Sequence, residues 1–453
     1  MRARRLRDIA PVVDGQLVGG DAEITSVVTD SRAANPGSLF VALPGERTDG
    51  GLYLAEAFER GAAGALVRDG ADSPGPAVFV RSTGEALLLI AADERRRMTA
   101  RVVGVTGANG KTSTKDLAAA VVATTFNTHS SPGSFNTEVG LPMTLLGARQ
   151  DVEVVVAELG ARHKGDVTLL CEIARPDIVV VTNVGVAHME IFGSWDAIVE
   201  ASAEPVEAVG PGGVAVLNAD DPVVAGFAER CGGRVVTYGT GSGAHVRAAD
   251  VSLDEHGCAG FFIETSGERE HVRLLVPGEH MVSNALAAAT VGLELGISLD
   301  AAAEALGRAN VSRWRMESFL TQGGVTVLND AYNANPESMA AALRTARWMA
   351  GDGRCIAVLG AMAELGPIAD REHERVGELA ARLRIDRVIT VGQDAALIAT
   401  AAEREGVEPE NVAAYDGIDE ALADVRAHAG AGDVVVCKAS RVAGLERLAE
   451  ALR

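Results

Sequence analysis

The stretch that decides the fold is Val102–Thr114, which reads VVGVTGANGKTST. An apolar strand pattern runs into a glycine turn and then into the start of a helix, as in a phosphate-binding loop. In such a loop, backbone N–H groups close around phosphate oxygens, Lys111 supplies a point charge and the Thr112 hydroxyl binds Mg²⁺. The alternative is an ordinary strand–helix turn with a solvated lysine, since Val105 stands where the strict pattern has glycine. The residues predicted to contact ATP here are Gly107, Ala108, Asn109, Gly110, Lys111, Thr112 and Ser113.

Polar residues also end the strand patterns that follow the loop. Glu158 comes directly after an apolar run, and His188 lies a few residues beyond another. Since the carboxyl ends of parallel strands meet at one sheet edge, both side chains are expected near the phosphate loop. A carboxylate there can hold the metal of the site, and imidazole suits divalent metal ions. Either residue, taken alone, could equally be solvated or structural. The predicted metal ligands are Thr112, Glu158 and His188.

The length of 453 residues and the order of the patterns predict an α/β protein with three domains. Short mixed segments in residues 1–97 predict a small N-terminal α/β domain. Apolar strand patterns alternate with helical ones across residues 98–309, which is typical of a parallel sheet buried on both faces. A further series in residues 310–453 predicts a Rossmann-like domain, and Asn310–Glu317 is interpreted as the linker before it. The strands predicted for the last two domains are Val102–Thr106, Val152–Ala157, Ile178–Val181, Val214–Leu217, Val325–Leu328, Ile356–Leu359, Val388–Val391 and Val434–Cys437.

The composition argues against several classes of protein. The 41 Lys and Arg against 62 Asp and Glu give a net charge of −21, which repels nucleic acid and anionic membranes. No apolar run reaches membrane-spanning length and no signal-peptide pattern follows the basic N-terminus, so a cytoplasmic protein without membrane insertion is expected. The five cysteines form no C-x-x-C pair, which favours buried reduced thiols over a metal site. A monomer is the expected state.

Several runs, taken together, resemble the Mur ligase family of ATP-dependent amide ligases. They occur in family order along nearly the whole chain. Asp330–Pro336 (DAYNANP) and Ser134–Pro142 (SFNTEVGLP) are most similar to the branch that adds D-alanyl-D-alanine. The other runs are Asp30–Arg32, Gly37–Leu43, Gly45 with Asp49–Gly50, Leu217–Pro222, Gly278–His280, Ser283–Leu286, Arg315–Glu317, Leu359–Gly360, Glu364–Gly366 and Lys438–Arg441.

The resemblance implies an N-terminal domain for a UDP-linked substrate, a central ATP-binding domain and a C-terminal ligase domain, which close around the ligands. ATP would phosphorylate the terminal carboxylate of a UDP-linked muramoyl tripeptide. The amine of D-alanyl-D-alanine would then attack the acyl phosphate, in peptidoglycan precursor synthesis. Catalysis would rest on positioning, Mg²⁺ and lysine charge, with ATP and Mg²⁺ as cofactors.

Roles for single residues follow from their places in the family motifs. Asn284 would meet the adenine region, and Arg315 and Asp330 the phosphates and ribose. The implied catalytic residues are Lys111, Glu158, His188 and Arg315. The implied substrate contacts are Ser31, Arg32, Asn136, Thr137, Tyr332, Asn333, Asn335, Lys438 and Ser440. The alternative for the Asp330–Pro336 run is a turn without any ligand, because Asp, Asn and Pro are turn residues.

One position departs from the family pattern in a way that bears on the metal. Fourteen residues after His188 the family usually carries a lysine whose carbamate helps to hold a second Mg²⁺, and here that position is Ser202. Glu200 or Glu204 could substitute as the anion, the second metal could be held weakly, or the chain could be a paralogue with altered chemistry. Both glutamates share one helix face and could also be ordinary solvated charges.

Two smaller departures concern the substrate. Gly51 stands where the family often has histidine, and Ala361 where an acidic or amide residue is common. Because of Ser202, two other functions stay open at this point. One is a Mur-type amide ligase with a different acid and amine, and the other is a non-catalytic nucleotide-binding homologue.

Overall fold

The structure, a computed structural model, describes residues 1–45 and 48–453, and these residues form three α/β units, each built on one large sheet. In the first unit, β5 lies between β4 and β6 as their parallel neighbour, and β2 closes the sheet antiparallel to β7. The strands of this unit are β1 (Arg4–Arg5), β2 (Gln16–Val18), β3 (Glu23–Ile24), β4 (Ser26–Val28), β5 (Ser38–Val41), β6 (Gly64–Arg68) and β7 (Ala77–Val80). Its helices are α1 (Leu6–Ile9), α2 (Leu54–Glu59) and α3 (Thr83–Arg97).

The second unit carries the phosphate loop between its first strand and its first helix. Among the described residues its sheet has nine strands, in the order β16-β15-β14-β13-β12-β11-β8-β10-β9. The strands are β8 (Arg101–Thr106), β9 (Thr128–Ser130), β10 (Val154–Glu158), β11 (Ile178–Val181), β12 (Val214–Asn218), β13 (Arg234–Gly239), β14 (Val246–Leu253), β15 (Cys258–Glu264) and β16 (Arg269–Pro277). The helices are α4 (Lys111–Val122), α5 (Gly140–Gly147), α6 (Asp166–Ala174), α7 (Met189–Phe192), α8 (Trp195–Glu207), α9 (Pro222–Gly226), α10 (Met281–Glu294) and α11 (Leu299–Leu306).

The third unit has a six-stranded sheet in the described chain, with the order β17-β18-β22-β19-β20-β21. All neighbours in it are parallel except β17 and β18. The strands are β17 (Glu317–Leu320), β18 (Thr326–Asn329), β19 (Cys355–Gly360), β20 (Arg387–Val391), β21 (Val412–Tyr415) and β22 (Val434–Lys438). The helices are α12 (Pro336–Ala350), α13 (Ala369–Arg382), α14 (Ala396–Arg404), α15 (Ile418–His428) and α16 (Glu446–Ala451).

The α/β fold class predicted from the sequence is confirmed. Central strands such as β10, β11 and β22 are buried at every residue, because helices cover both faces of the sheets. The four cysteines 171, 258, 355 and 437 are buried and Cys231 is partly exposed, and all five are free thiols. Burial raises the pKa of Cys171 and Cys355 to about 12, so these thiols are protonated and inert.

The central sheet is not wholly parallel, which corrects the prediction. Strands β14, β15 and β16 form an antiparallel meander at one edge. In β16 buried and exposed residues alternate, as in an antiparallel strand with one solvated face. Charged and polar side chains interrupt β14 and β16, so neither strand gives a long apolar run in the sequence. In the first unit, a 3₁₀ turn over Gly50–Tyr53 leads directly into α2. No helix in the described ranges is long and apolar enough to cross a membrane.

A buried ion pair stabilises the third unit. The Arg387 guanidinium donates to both carboxylate oxygens of Asp424, at 2.7 and 2.6 Å, and the Tyr415 hydroxyl donates to Asp424 Oδ2 at 2.7 Å. Burial raises the pKa of Asp424, but the hydrogen bonds from Arg387 and Tyr415 outweigh it, so this pKa lies below its ordinary value. A depressed carboxyl pKa stabilises the fold above the unfolded pKa, and this stability is lost as the pH falls through the folded pKa.

We therefore expect Asp424→Asn to destabilise the protein by about 3 kcal/mol at neutral pH, because it leaves the Arg387 charge uncompensated. In calorimetry the unfolding transition of this unit should fall by roughly 10 °C. The difference from wild type should shrink below about pH 4. Asp419→Asn, at an exposed position on the same helix, is the matched control. Equal shifts for the two variants would contradict the assignment.

Candidate active site

The phosphate loop has the backbone geometry that its glycines predict. It lies at the carboxyl edge of the central sheet, between the end of β8 and the start of α4. Gly107 and Gly110 have φ values of 130° and 79°, in the region that favours glycine. A side chain at Gly107 would collide with Thr182, and one at Gly110 would collide with Asn284. Only glycine fits at either position.

Lys111 turns its ammonium group onto its own loop. Its Nζ donates to the carbonyl oxygens of Gly107, at 2.6 Å, and Ala108, at 3.2 Å. Burial lowers the pKa of Lys111, the Glu158 carboxylate opposes this, and the Arg315 guanidinium adds to it. Two cations therefore approach one point at the N-terminus of α4, where the helix dipole also stabilises an anion.

Thr112 and Glu158 form an oxygen-rich corner beside the loop. The Thr112 hydroxyl donates to Glu158 Oε2 at 2.7 Å, and Asn136 Nδ2 donates to Glu158 Oε1 at 2.8 Å. Glu158 is 1% exposed and ends β10. Hydroxyl and carboxylate oxygens are the hard ligands that Mg²⁺ selects, so this corner fits the metal. No group of three His, Cys, Asp or Glu side chains forms a metal cluster in the part of the chain that is described, so phosphate or water would have to complete the coordination.

His188 approaches the same region from beyond the end of β11. It precedes α7 in a left-handed conformation with φ of 60°. Its Nδ1 contacts the Glu364 carboxylate, which belongs to the third unit, and in the described chain this is the one hydrogen bond of the imidazole ring. Nε2 is therefore the ring nitrogen that could bind a metal, with the carboxylate fixing the ring. Burial lowers the pKa of His188, and the Lys111 and Arg162 charges act in the same direction.

Arg315 reaches from the linker into the phosphate site. Its Nη2 donates to Ser134 Oγ at 2.8 Å, and Ser134 in turn lies 3.2 Å from the Thr112 hydroxyl. The guanidinium stacks over the Tyr332 ring, 4.1 Å from its centroid. Arg315 Nε is buried and has no hydrogen-bond partner among the described residues. An unsatisfied cationic donor beside a phosphate loop fits a phosphate oxygen.

Asn335 joins the phosphate loop to the third unit. Its Nδ2 donates to Asn109 Oδ1 at 2.7 Å. Its Oδ1 accepts from the backbone N–H of Ser338 at 2.9 Å and so caps the start of α12. Both ends of the amide are thus used by the protein, and the role of Asn335 toward substrate stays a prediction.

Lys438 is buried on the strand end next to the Asp330 loop. Its Nζ donates to Asp330 Oδ2 at 2.6 Å and to the Asn333 carbonyl at 2.9 Å. Ser440 is also buried, and its Oγ accepts from the backbone N–H of Ala363 at 2.9 Å. These contacts shape the loop that the sequence identified as Asp330–Pro336. Ligand contacts for Asp330, Asn333, Lys438 and Ser440 stay predictions.

The predicted substrate residues of the first unit lie apart from this centre. The Ser31 hydroxyl donates to Glu56 Oε2 at 2.7 Å. Exposed Arg32 pairs with Asp30, and its hydrogen bonds lower the pKa of that carboxyl to about 2. Within the described ranges no hydrogen bond or ion pair joins Ser31 or Arg32 to the phosphate loop. Thr137 lies closer, and its Oγ1 accepts from the backbone N–H that begins α5 at 3.3 Å.

Asn284 lies beneath the loop. Its Oδ1 accepts from the Thr114 hydroxyl at 3.2 Å, and its Nδ2 donates to Met281 Sδ at 3.3 Å. Asn284 is 5% exposed, and Ser113 is likewise buried. Asn284 thus supports the phosphate loop from below, and its implied contact with the adenine region stays a prediction.

Neither glutamate near Ser202 is available as a substitute anion for a metal. Glu204 is buried, and its carboxylate accepts from the backbone N–H groups of Gly165, at 2.6 Å, and Thr168, at 2.9 Å. It therefore caps the start of α6 and is not a solvated charge, which corrects one expectation. Glu200 pairs with Arg230 on the surface. The Ser202 hydroxyl donates to a carbonyl of its own helix at 2.7 Å.

Sequence reasoning missed four residues of the site. Ser134 and Glu364 lay inside motifs that the sequence singled out, but neither carried a predicted role. Arg162 acts on His188 through its charge, and Glu337 lies against Gly185 beside the loop. The first two could have been found from their motifs, while the last two depend on how distant segments pack.

Comparison with known proteins places the chain among named enzymes. Three family profiles match it: "Mur ligase family, catalytic domain" over residues 23–103, "Mur ligase middle domain" over residues 105–292, and "Mur ligase, glutamate ligase domain" over residues 314–441. A UDP-N-acetylmuramoyl-tripeptide–D-alanyl-D-alanine ligase of Mycobacterium bovis is 42% identical over 94% of this chain and 92% of its own length. The chain belongs to the Mur ligase family. A Bacillus subtilis Mur ligase of the same name is 36% identical over 100% of this chain and 99% of its own.

Solved structures of Mur ligases agree with this assignment. A crystal structure of MurF from Acinetobacter baumannii matches with a TM-score of 0.90 and 30% identity, over 100% of this chain and 99% of that one. MurF from Thermotoga maritima, solved in complex with ADP, matches with a TM-score of 0.82 and 27% identity, over 94% of this chain and 96% of that one. The Mur ligase fold therefore extends over all three units.

Proposed function

We propose that this Mur ligase joins D-alanyl-D-alanine to a UDP-N-acetylmuramoyl tripeptide in an ATP-driven reaction of peptidoglycan precursor synthesis. The observation that carries the proposal is similarity over nearly the whole chain to ligases that bear this name. The phosphate loop supports it, because Lys111 and Arg315 approach one point there from two units of the chain. The domain ranges 1–97, 98–309 and 310–453 are proposed as the UDP-substrate, ATP-binding and ligase domains.

In the first step, phosphoryl transfer to the substrate carboxylate, the site must stabilise negative charge. Negative charge builds on the transferring phosphoryl oxygens, so cations held in place before the reaction lower its barrier. Lys111 would exchange its bonds to Gly107 and Ala108 for bonds to phosphate. Arg315 Nε, which is buried without a partner among the described residues, would donate to a second oxygen. An acyl phosphate and ADP result, and the dipeptide amine then displaces phosphate to form the amide.

Mg²⁺ is the metal that the corner next to the loop would hold. Thr112 and Glu158 are the proposed ligands, and His188 is proposed for a second metal through Nε2. When bound, the metal neutralises phosphate charge and polarises the phosphoryl group. Asn136 holds the Glu158 carboxylate in place by its hydrogen bond, and Ser134 links Thr112 to Arg315.

The proposal is tested by phosphate release from ATP and Mg²⁺ with purified protein. UDP-N-acetylmuramoyl tripeptide and D-alanyl-D-alanine are supplied together and singly, and the product is identified by mass spectrometry. We expect release that depends on both substrates, with the pentapeptide as product. If phosphate is released only when a different acid and amine replace these two substrates, the protein is a paralogue, the alternative that Ser202 raises. No release under any condition, with ADP still bound, would indicate a non-catalytic homologue.

Ser202→Lys tests whether the missing lysine limits the enzyme. We expect the variant to raise turnover several-fold in bicarbonate buffer, because a lysine carbamate would return an anion that neither Glu200 nor Glu204 supplies. Turnover is compared with and without bicarbonate, and Ser202→Gln is the control for side-chain size. Equal turnover of all three proteins would show that the second metal needs no such anion.

A further inference from the structure

Lys115 is a buried lysine that the phosphate-loop chemistry does not explain. It lies one turn after Lys111 on α4 and is 1% exposed. Its Nζ donates to the carbonyl oxygens of Ser131, at 2.8 Å, and Gly133, at 3.1 Å, and lies 2.5 Å from Asp116 Oδ1. Two hydrogen bonds and one ion pair therefore fix the ammonium group in position.

The choice of lysine at this position is informative. The chain has four lysines, Lys111, Lys115, Lys164 and Lys438, among 41 basic residues, so arginine is its ordinary cation. An ammonium group is a compact charge with three donors, whereas guanidinium is a planar fork. Two carbonyl oxygens and one carboxylate surround Lys115 at a buried position. This arrangement fits the compact ammonium group and not the larger guanidinium.

Asp116 extends the same cluster to the linker between the second and third units. Its Oδ2 accepts from the backbone N–H of Ser312 at 2.7 Å and from the Ser312 hydroxyl at 2.7 Å. Ser312 lies three residues before Arg315. Trp314 and Met316, on either side of Arg315, both have positive φ values, of 61° and 53°. Two residues with positive φ make the linker conformation unfavourable by itself, so it persists only where contacts with the rest of the protein stabilise it. The contact between Asp116 and Ser312 is one of these.

The loop that Lys115 grips carries two residues of the site. Ser134 follows Gly133 directly and accepts from Arg315, and Asn136 donates to Glu158. The cluster thus closes a ring that runs from α4 through the 131–136 loop to Arg315, and back through the linker to α4. Each contact in the ring is between 2.5 and 3.2 Å.

We propose that Lys115 and Asp116 are positioning residues that couple the linker to the phosphate site. Asp116 fixes the linker so that Arg315 arrives at the phosphate loop, and Lys115 fixes the loop that receives it. Neither residue touches a phosphate or a metal in this scheme. The expected changes in kcat and KM rest on the proposed function, whereas the expected change in the arrangement of the domains does not.

The experiment compares Asp116→Asn, Ser312→Ala, the double variant and Lys115→Arg with wild type. Loss of a charge-assisted hydrogen bond should lower kcat about 10-fold in each of the first two variants. Because they break one shared contact, the double variant should lose no more than Asp116→Asn alone, not about 100-fold. Affinity for Mg²⁺-ADP by calorimetry should stay within about two-fold, since the phosphate loop itself is intact. Lys115→Arg keeps the charge but not the shape, and should raise KM for the UDP-linked acid.

Small-angle scattering with a non-hydrolysable ATP analogue gives a readout that does not need ligation. Wild type should be more compact than Asp116→Asn and Ser312→Ala, and Asp352→Asn, at an exposed turn, should behave as wild type. If the kcat losses of the two single variants multiply in the double variant, the proposal is overturned. It is also overturned if both single variants keep the compactness and the kcat of wild type. If wild type fails to ligate, scattering alone decides it. If Asp116→Asn fails to fold, Ser312→Ala still decides it, since it removes one hydroxyl from a half-buried position.

Discussion

Lys111→Ala should reduce ATP turnover by roughly 10³-fold or more while leaving the fold intact, because it removes the charge that meets the transferring phosphoryl group. Among the described residues the Lys111 side chain donates only to carbonyls of its own loop, so its loss breaks no hydrogen bond between the domains described there. The loop itself keeps its path, since Gly107 and Gly110 set it. Phosphate release under saturating substrates gives the turnover, and calorimetry gives the melting temperature.

The chain offers a matched control for this variant. Lys164 is exposed and makes no hydrogen bond or ion pair among the described residues. Lys164→Ala should therefore leave both turnover and melting temperature unchanged. Undiminished ligation by Lys111→Ala would falsify the nucleotide site. A similar loss in both variants would point to an effect of net charge on substrate capture instead.

The phosphate loop could be predicted from the sequence because its chemistry is local. A strand, two glycines with positive φ and a helix N-terminus occupy consecutive residues, so the backbone geometry is written into one short stretch. Glu158 followed for a related reason. Parallel strands place their carboxyl ends on one edge, and the position after a buried strand is therefore a position near the loop.

Contacts between units could not be predicted in the same way. The contact between His188 and Glu364 joins residues 176 positions apart, and the bond from Asn335 to Asn109 spans 226. No periodicity or spacing in the sequence encodes how two sheets dock. Glu204 shows the same limit on a smaller scale. Its place on a helix face indicated a solvated charge, yet the neighbouring helix α6 begins against it and uses the carboxylate as a cap.

The antiparallel strands at the edge of the central sheet were missed for a different reason. Strands buried on both faces give continuous apolar runs, and these were recognised at β8, β10, β11 and β12. An edge strand with one solvated face alternates polar and apolar residues, so its mean hydropathy stays low. The alternation in β16 was present in the sequence, and a search for a period of two residues would have found it.

Glu158→Gln should lower turnover by roughly 10³-fold, since the amide has the same shape but cannot neutralise a divalent cation. The glutamine oxygen can still accept from Asn136, and its NH2 group can donate to the Thr112 hydroxyl instead of accepting from it, so the melting temperature should change little. The decisive measurement is the Mg²⁺ dependence of ADP binding. Wild type should bind Mg²⁺-ADP more tightly than ADP alone, and Glu158→Gln should bind both alike.

Glu172→Gln, at an exposed position on α6, is the control and should match wild type in both assays. If Glu158→Gln instead retains the full gain from Mg²⁺, the carboxylate does not hold the metal. Glu158 would then act only by orienting Thr112 and Asn136, and the metal would have to depend on His188 and phosphate oxygens. Because the two variants carry the same change of charge, a difference between them can arise only from where the carboxylate lies.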